Sequence, residues 1–350
     1  MSKAKTKTSK EAPRILIIYT GGTIGMVQDH ETGVLSPIDF SQIRREVPEI
    51  KKFGYAIEVV SFNPVLDSSD MQPIHWVKMA ELIRDNYDKF DGFVILHGSD
   101  TLAYTSSALS FMLENLAKPV ILTGSQLPVG EIRTDARENL ITSIEIAATK
   151  INGKPAVPEV CVYFDYYLFR GNRTTKMNSA KFEAFQSVNF PPLAEAGVHL
   201  KFNPHLVAKP TGKKLKIHIK LDNRVGVIRI FPGMSRDWFE SQLNAPNTKA
   251  IIIETFGSGN APSQGWFIEL LQKAIDSGIL VVNITQCPGG TVEQGRYATS
   301  SKLAKMGVVA GADLTIEAAL TKLLFLLGNH KKISDIKRLM VESIRGEMTL

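Results

Sequence analysis

The sequence is poor in cysteine, has no long apolar run and carries no metal-binding motif. Each shortage removes a class of function. Cys161 and Cys287 are the only thiols among 350 residues, so the disulfide framework that staples small secreted domains cannot form. Cys161 lies inside the apolar run "EVCVYF", where a buried and inert thiol is expected. No apolar stretch approaches the roughly 20 residues that span a bilayer. The most apolar window, "LTKLLFLLG" (320–328), is short and contains Lys322. The chain opens on "MSKAKTKTSKEA", which lacks the apolar core of a secretory signal, so a cytoplasmic location is expected. The seven histidines are scattered and no HExxH pair occurs, so no metal and no other cofactor is expected. The net charge of +6 is local: four lysines fall in the first ten residues and four more in "KKLKIHIK" (213–220). A basic nucleic-acid face is therefore not expected, and neither is a membrane partner.

What is present is an α/β rhythm. The length suggests about two domains. "RILIIY" (14–19), "DGFVILHG" (91–98), "KPVILTG" (118–124) and "EVCVYF" (159–164) read as strands buried on both faces. Between them lie helical periods. In 101–116, Leu102, Leu109, Leu113 and Leu116 share one face; in 132–149, Leu140 and Ile144 do so with Ala147 or Ala148. A proline-rich stretch (189–214) then breaks the rhythm. "KLKIHIKL" follows as a one-sided strand, with Leu215, Ile217, Ile219 and Leu221 on one face. The rhythm resumes with "VGVIRIF" (225–231), "KAIIIETF" (249–256) and "GILVVNIT" (278–285), with helices at about 264–276 and 315–328 ending near Gly278 and Gly328. The expected fold class is α/β, with a larger N-terminal parallel-type sheet flanked by helices and a smaller C-terminal α/β domain. The expected boundaries are a disordered basic tail at 1–13, an N-terminal catalytic domain at 14–203, a linker at 204–224 and a C-terminal domain at 225–350.

Ligands of open parallel sheets gather at the carboxyl ends of the strands. Five segments fall there: "TGGT" (20–23), "DSSD" (67–70), "HGSDT" (97–101), "TGSQ" (123–126) and "RTTK" (173–176). The glycines of "YTGGTIGM" (19–26) do not have the spacing of a dinucleotide fingerprint, and no helical period follows them, so a phosphate cradle is not supported. Gly21 and Gly22 allow a sharp turn that presents Thr23, as a loop cap or as a nucleophile needing a base. Thr20 reads as a strand-end residue and His97 as a structural one. Asp100 is either the cap of the next helix or, with Ser99, a hydroxyl beside a carboxylate. "DSSD" is a turn by composition, and its Asp and Ser side chains also suit a zwitterionic amino acid. Lys176 is either solvent-exposed or, if desolvated, a base for a neighbouring hydroxyl.

These segments resemble the type I (cytoplasmic) bacterial L-asparaginases. The likeness runs through "YTGGTIGM", "DSSDM", "DGFVILHGSDT" to "TGSQLP" and "FRGNRTTKMNSAKFEAF". It continues through "GNAP" (259–262), "NITQC" (283–287) and "AGADLTIEAALTKL" (310–323), almost the whole chain after residue 13. The resemblance implies hydrolysis of L-asparagine to L-aspartate and ammonia, without metal or cofactor, by a homotetramer built as a dimer of dimers. It makes Thr23 the nucleophile that forms an acyl-enzyme, and Ser99, Asp100 and Lys176 its second hydroxyl, carboxylate and lysine. Asp67, Ser68 and Ser69 become the substrate-binding turn, with Asp100 also gripping the substrate ammonium and Gly22, Gly98 and Ser125 lining the pocket. Two other readings share the motifs. The amidase subunit of a tRNA-dependent amidotransferase is expected to carry an extra N-terminal domain, whereas about 13 residues precede the first strand here. A catalytically inert amino-acid sensor is expected to lack Thr23 or Lys176, and both are present.

Three positions depart from the family pattern. Ser99 stands where threonine is usual, which keeps the hydroxyl and loses the methyl that restricts χ1. Glu254 stands where allosteric relatives carry an arginine, so weak or absent cooperativity is expected. In "ETGVLSP" (31–37), Val34 takes the place of a loop tyrosine, and Tyr297 in "EQGRYATS" is the expected substitute phenol. Tyr297→Phe should therefore lower the rate constant for amide hydrolysis; an unchanged rate constant would remove Tyr297 from the catalytic set.

Overall fold

The computed structural model describes residues 12–28, 35–37, 40–295 and 298–349. The basic tail up to residue 11, Val34 and Tyr297 lie outside the described residues. The first half of the chain builds an eight-stranded sheet. Its order is Leu200–Phe202, Ala194–Ala196, Tyr167–Arg170, Val160–Phe164, Val120–Thr123, Gly92–Leu96, Arg14–Gly21 and Ala56–Leu66. The last five of these run parallel, in the chain order 2-1-3-4-5 when counted from the Ala56–Leu66 edge. The first three are antiparallel additions at the other edge, so the parallel-type sheet inferred from the apolar runs is mixed. The Ala56–Leu66 strand gives no continuous apolar signal because it is an edge strand, half-exposed along its length.

The unbroken apolar runs have a simple cause: both faces of the sheet are covered. Ile15 and Ile17 pack with Leu140 and Ile144, while Leu16 and Ile18 pack with Met79, Ile83 and Leu109 on the opposite face. The second half of the chain forms a four-stranded parallel sheet of Val225–Arg229, Ala250–Thr255, Leu280–Thr285 and Val309–Ala310. Its two faces bury separate clusters, one of which reaches into the first unit through Phe111. Phe111 stacks on Phe325 with ring centroids 6.0 Å apart. Helix Leu102–Met112 thus lies between the large sheet and helix Ile316–Asn329, and all but one of its side chains are buried.

Three local expectations are corrected. Helix 101–116 stops at Met112, because Leu113–Glu114 pairs as a strand with Lys216–Ile217 and Asn115 takes a positive φ of 62°. Leu113 and Leu116 are therefore off the helix face. Helix 132–149 begins only at Ala136. The Asp135 carboxylate accepts from the amides of Gln126 and Leu127, and this fold-back keeps the preceding residues in a loop. In "KLKIHIKL", only Lys216–Ile217 is strand; Leu215, Ile217 and Leu221 pack inward, but Ile219 is exposed. Helix Ile316–Asn329 ends one residue beyond Gly328, close to the expected stop.

Gly328 has a packing reason. A Cβ there would sit 2.2 Å from the Lys220 carbonyl oxygen, where the chain crosses between the two sheets. At an open helical position, Gly→Ala raises stability by about 1 kcal/mol. Gly328→Ala should instead lower it, by about 1–3 kcal/mol, the usual cost of overpacking. Thermal unfolding of the variant checks the sign.

Candidate active site

In a parallel sheet of order 2-1-3-4-5, the crevice opens between the first and third strands, where the order reverses. Arg14–Gly21 and Gly92–Leu96 are those strands, and their carboxyl ends carry Thr23 and Ser99. Gly21 and Gly22 have φ of 126° and 91°, which turn the chain sharply off the sheet. A Cβ on Gly22 would meet the Gly98 amide nitrogen at 2.3 Å, and one on Gly98 would meet the Ser68 hydroxyl oxygen at 2.5 Å. Three turns therefore touch, and glycine at the first two is what lets them. The Thr101 hydroxyl donates to the Ser68 carbonyl at 2.6 Å and ties the third turn down.

Thr23 opens a short 3-10 turn to Gly25 and is half-buried. The turn is fixed from below by Tyr19, whose hydroxyl donates to the Gly25 carbonyl at 2.8 Å. Burial pushes the Tyr19 phenol up to about 12, so it stays a neutral donor. Thr20 points inward and donates to the Leu96 carbonyl at 2.9 Å, the strand-end role expected of it.

Behind Ser99, a buried chain of donors sets the backbone. Trp76 Nε1 donates to Thr105 Oγ1 at 2.9 Å, and Thr105 Oγ1 lies 2.9 Å from His97 Nε2. His97 Nδ1 lies 2.7 Å from the Gly98 carbonyl, which can only accept. The proton is thus on Nδ1, Nε2 accepts from Thr105, and His97 is a structural residue. Burial pushes its imidazole down to about 4.

Lys176 lies on a two-residue ribbon, Thr175–Lys176 paired with Phe185–Gln186. Its Nζ donates to Ser99 Oγ at 2.8 Å and to Asp100 Oδ1 at 2.6 Å. The lysine side chain is 17% exposed and the carboxylate 65%, so Asp100 reaches from a buried amine to open space. Asp100 is not the helix cap; Thr101 occupies that position and makes no side-chain capping bond. In the "DSSD" turn, Asp67 Oδ1 accepts from both the amide and the hydroxyl of Ser69 at 2.9 Å, which lowers the carboxyl pKa. The Asp67 carboxylate therefore stays charged with its second oxygen free of the turn. Ser125 is buried and donates to the Leu127 carbonyl at 2.6 Å.

The structure thus gathers Gly22, Ser68, Gly98, Ser99, Asp100 and Lys176 by direct contact, with Thr23, Asp67 and Ser69 on the same turns. Ser125 is linked through its neighbour Gln126, a residue that sequence reasoning left without a role. Gln126 accepts from Ser99 Oγ at 3.3 Å and donates to the Lys181 carbonyl at 3.0 Å. It closes the loop beyond Lys176 onto the second hydroxyl. Its only signal in the sequence was its place in "TGSQ". Glu254 lies away from this cluster, half-buried beside Arg229 at 3.7 Å, and burial raises its carboxyl pKa. Among the described residues no group of three or more His, Cys, Asp or Glu side chains is placed to hold a metal ion. No described helix is long and apolar enough to cross a membrane.

Known proteins match this chain along most of its length. Residues 14–208 match the family described as Asparaginase, N-terminal, and residues 224–340 match the Glutaminase/Asparaginase C-terminal domain. The chain is 45% identical to L-asparaginase 1 of Escherichia coli over 96% of its length and 98% of that protein's. The crystal structure of L-asparaginase I from Vibrio cholerae superposes with a TM-score of 0.87 at 40% identity, covering 97% of this chain and 100% of the other. A glutamyl-tRNA(Gln) amidotransferase subunit of Pyrococcus furiosus is 34% identical over 99% of this chain and 79% of that protein.

The buried His97 ring makes a pH prediction. The unfolded chain binds a proton near the ordinary histidine value of 6.5, whereas the folded ring does so only at about 4. Between these values the unfolded state holds more protons, so His97 subtracts stability as pH falls through this window and not above it. NMR titration should place the His97 midpoint near 4; a midpoint near 6.5 would contradict the donor chain.

Proposed function

The chain belongs to the asparaginase family, and from that premise we infer that it hydrolyses the side-chain amide of L-asparagine to L-aspartate and ammonia. The observation that carries the reading is the Lys176 amine held 2.8 Å from Ser99 Oγ and 2.6 Å from Asp100, beside the turn that presents Thr23. A bare alcohol needs a base, and here an amine and a second hydroxyl stand within reach of one another.

In this reading Thr23 Oγ attacks the amide carbonyl carbon. Its proton passes through the Ser99 hydroxyl to the Lys176 amine. The C–N bond then breaks, the proton leaves with ammonia, and an aspartyl ester remains on Thr23. Water then attacks the ester carbon, its proton passes to Lys176, and the proton returns through Ser99 to Thr23 Oγ as the ester C–O bond breaks and aspartate leaves. The exposed oxygen of Asp100 and the free oxygen of Asp67 receive the substrate ammonium, while Ser68 and Ser69 frame its α-carboxylate. In this reading the backbone amides of the apposed Gly22 and Gly98 turns receive the oxyanion. Tyr297 supplies the phenol that assists Thr23 in this reading.

We take the protein to be a cytoplasmic homotetramer, as the type I resemblance implies. The amidotransferase reading is weaker because that relative is less similar and only 79% of it is matched. An inert sensor would have no use for an amine tied to a hydroxyl.

Purified protein should release ammonia from L-asparagine with a hyperbolic velocity curve; a sigmoidal curve would contradict the expectation drawn from Glu254. Thr23→Ala and Ser99→Ala should each lower kcat by about 10²-fold or more, the scale of losing a nucleophile or its proton relay. Near-normal turnover in either variant would remove that residue from the mechanism.

A further inference from the structure

The ribbon that carries Lys176 is two residues long and is not part of either large sheet. A strand that short cannot fix a long side chain by its own ladder. Its anchors come from the far end of the chain. Thr175 and Lys176 are adjacent in a strand, so their side chains leave opposite faces. On one face Lys176 meets Ser99 and Asp100. On the other, Thr175 Oγ1 donates to Glu317 Oε1 at 2.7 Å. Glu317 lies in the first turn of helix Ile316–Asn329 of the second unit and is 5% exposed. Its other oxygen is buried without a hydrogen-bond partner; Thr175 is the foremost group holding the carboxylate, ahead of the backbone and Thr315 side chain at the start of its own helix.

The turn before the ribbon is held from the same side. Arg173 donates to Asp313 Oδ2 at 2.8 Å and to the Gly346 carbonyl at 2.8 Å. Asn172 donates to the Arg345 carbonyl at 3.0 Å. Asp313 in turn accepts from the amide and hydroxyl of Thr349. The C-terminal segment is itself locked by Lys322 and Glu347, a fully buried pair at 2.6 Å.

We infer that Glu317 is a positioning residue for the reaction: by holding Thr175 from behind, with Arg173 and the C-terminal segment fixing the turn before it, it sets where the Lys176 amine meets Ser99. The second unit thereby acts on the base of the first without touching substrate. This rests on the amide-hydrolysis reading above. A displacement of about 1 Å far from the chemistry can lower turnover by up to 10²-fold.

The test separates positioning from stability. Glu317→Met keeps the length of the side chain, removes the acceptor and places an apolar group in a buried site, so it should fold at least as well as the unmodified protein. Its kcat should nevertheless fall about tenfold or more with KM within about twofold, and the acid limb of the kcat–pH profile should move. Thr175→Val should do the same, whereas Thr175→Ser, which keeps the hydroxyl, should restore kcat to within about threefold. Unchanged kcat in Glu317→Met, or a loss confined to KM, overturns the inference while ammonia release by the unmodified protein leaves the functional reading intact. No ammonia release by the unmodified protein overturns that reading and this inference with it.

Discussion

The approach of the Gly22 turn to the Gly98 backbone is the constraint on which the rest of the site depends. It brings the carboxyl ends of two neighbouring parallel strands together closely enough that Gly22 tolerates no Cβ, and the Ser68 turn presses on Gly98 in the same way. Everything else is arranged around that contact. Tyr19 holds the Thr23 turn from below, and His97 holds the Gly98 carbonyl from behind. Thr101 ties in the Ser68 turn. Thr23 and Ser99 are then presented at one crevice by backbone that has no freedom to separate them.

Lys176 reaches this crevice from a different kind of support. The glycine turns grow out of the sheet, whereas the lysine ribbon is clasped between units. Its supports include three buried ion pairs: Arg170–Glu159 at 2.6 Å, Arg173–Asp313 at 2.8 Å and Lys322–Glu347 at 2.6 Å. Buried pairs contribute little net stability compared with apolar packing, but removing one partner costs about 3–5 kcal/mol. Their value here is geometric: they fix the relation of the C-terminal segment to the residues just before Lys176. Burial lowers the Lys322 and Arg173 pKa values, and their carboxylate partners oppose the shift. Thr23 and Ser99 are thus positioned by packing and Lys176 by a polar network.

The sequence made the architecture legible where periodicity is a local consequence of burial. "RILIIY" and "DGFVILHG" read as two-faced strands because helices cover both faces of the sheet. It failed where tertiary pairing overrode local pattern. Leu113 and Leu116 continue the helical period of 101–116, yet Lys216–Ile217 captures Leu113–Glu114 into a strand. Gly328 marks the helix end as expected, but its close contact with the Lys220 carbonyl left no trace in the sequence. In the site, glycine spacing and strand-end polar residues left Thr23, Ser99, Asp100 and Lys176 with structural alternatives open, and the family resemblance gave them their roles. Gln126 and Glu317 were not found, since a buried amide or carboxylate that serves another side chain leaves no spacing signal. Lys322, a charge inside the most apolar window, was visible, but its partner Glu347 lies beyond the next helix and only the fold joins them.

The central claim is that the crevice between the first and third parallel strands is an aminoacyl-amide site with Thr23 as its nucleophile. A crystal structure with L-aspartate bound tests it most directly. The account predicts the ligand side-chain carboxyl over Thr23 Oγ, its ammonium on Asp100, and the Lys176 amine still on Ser99. A ligand bound elsewhere, or one whose side-chain carboxyl lies on Ser99 with Thr23 turned away, would contradict it.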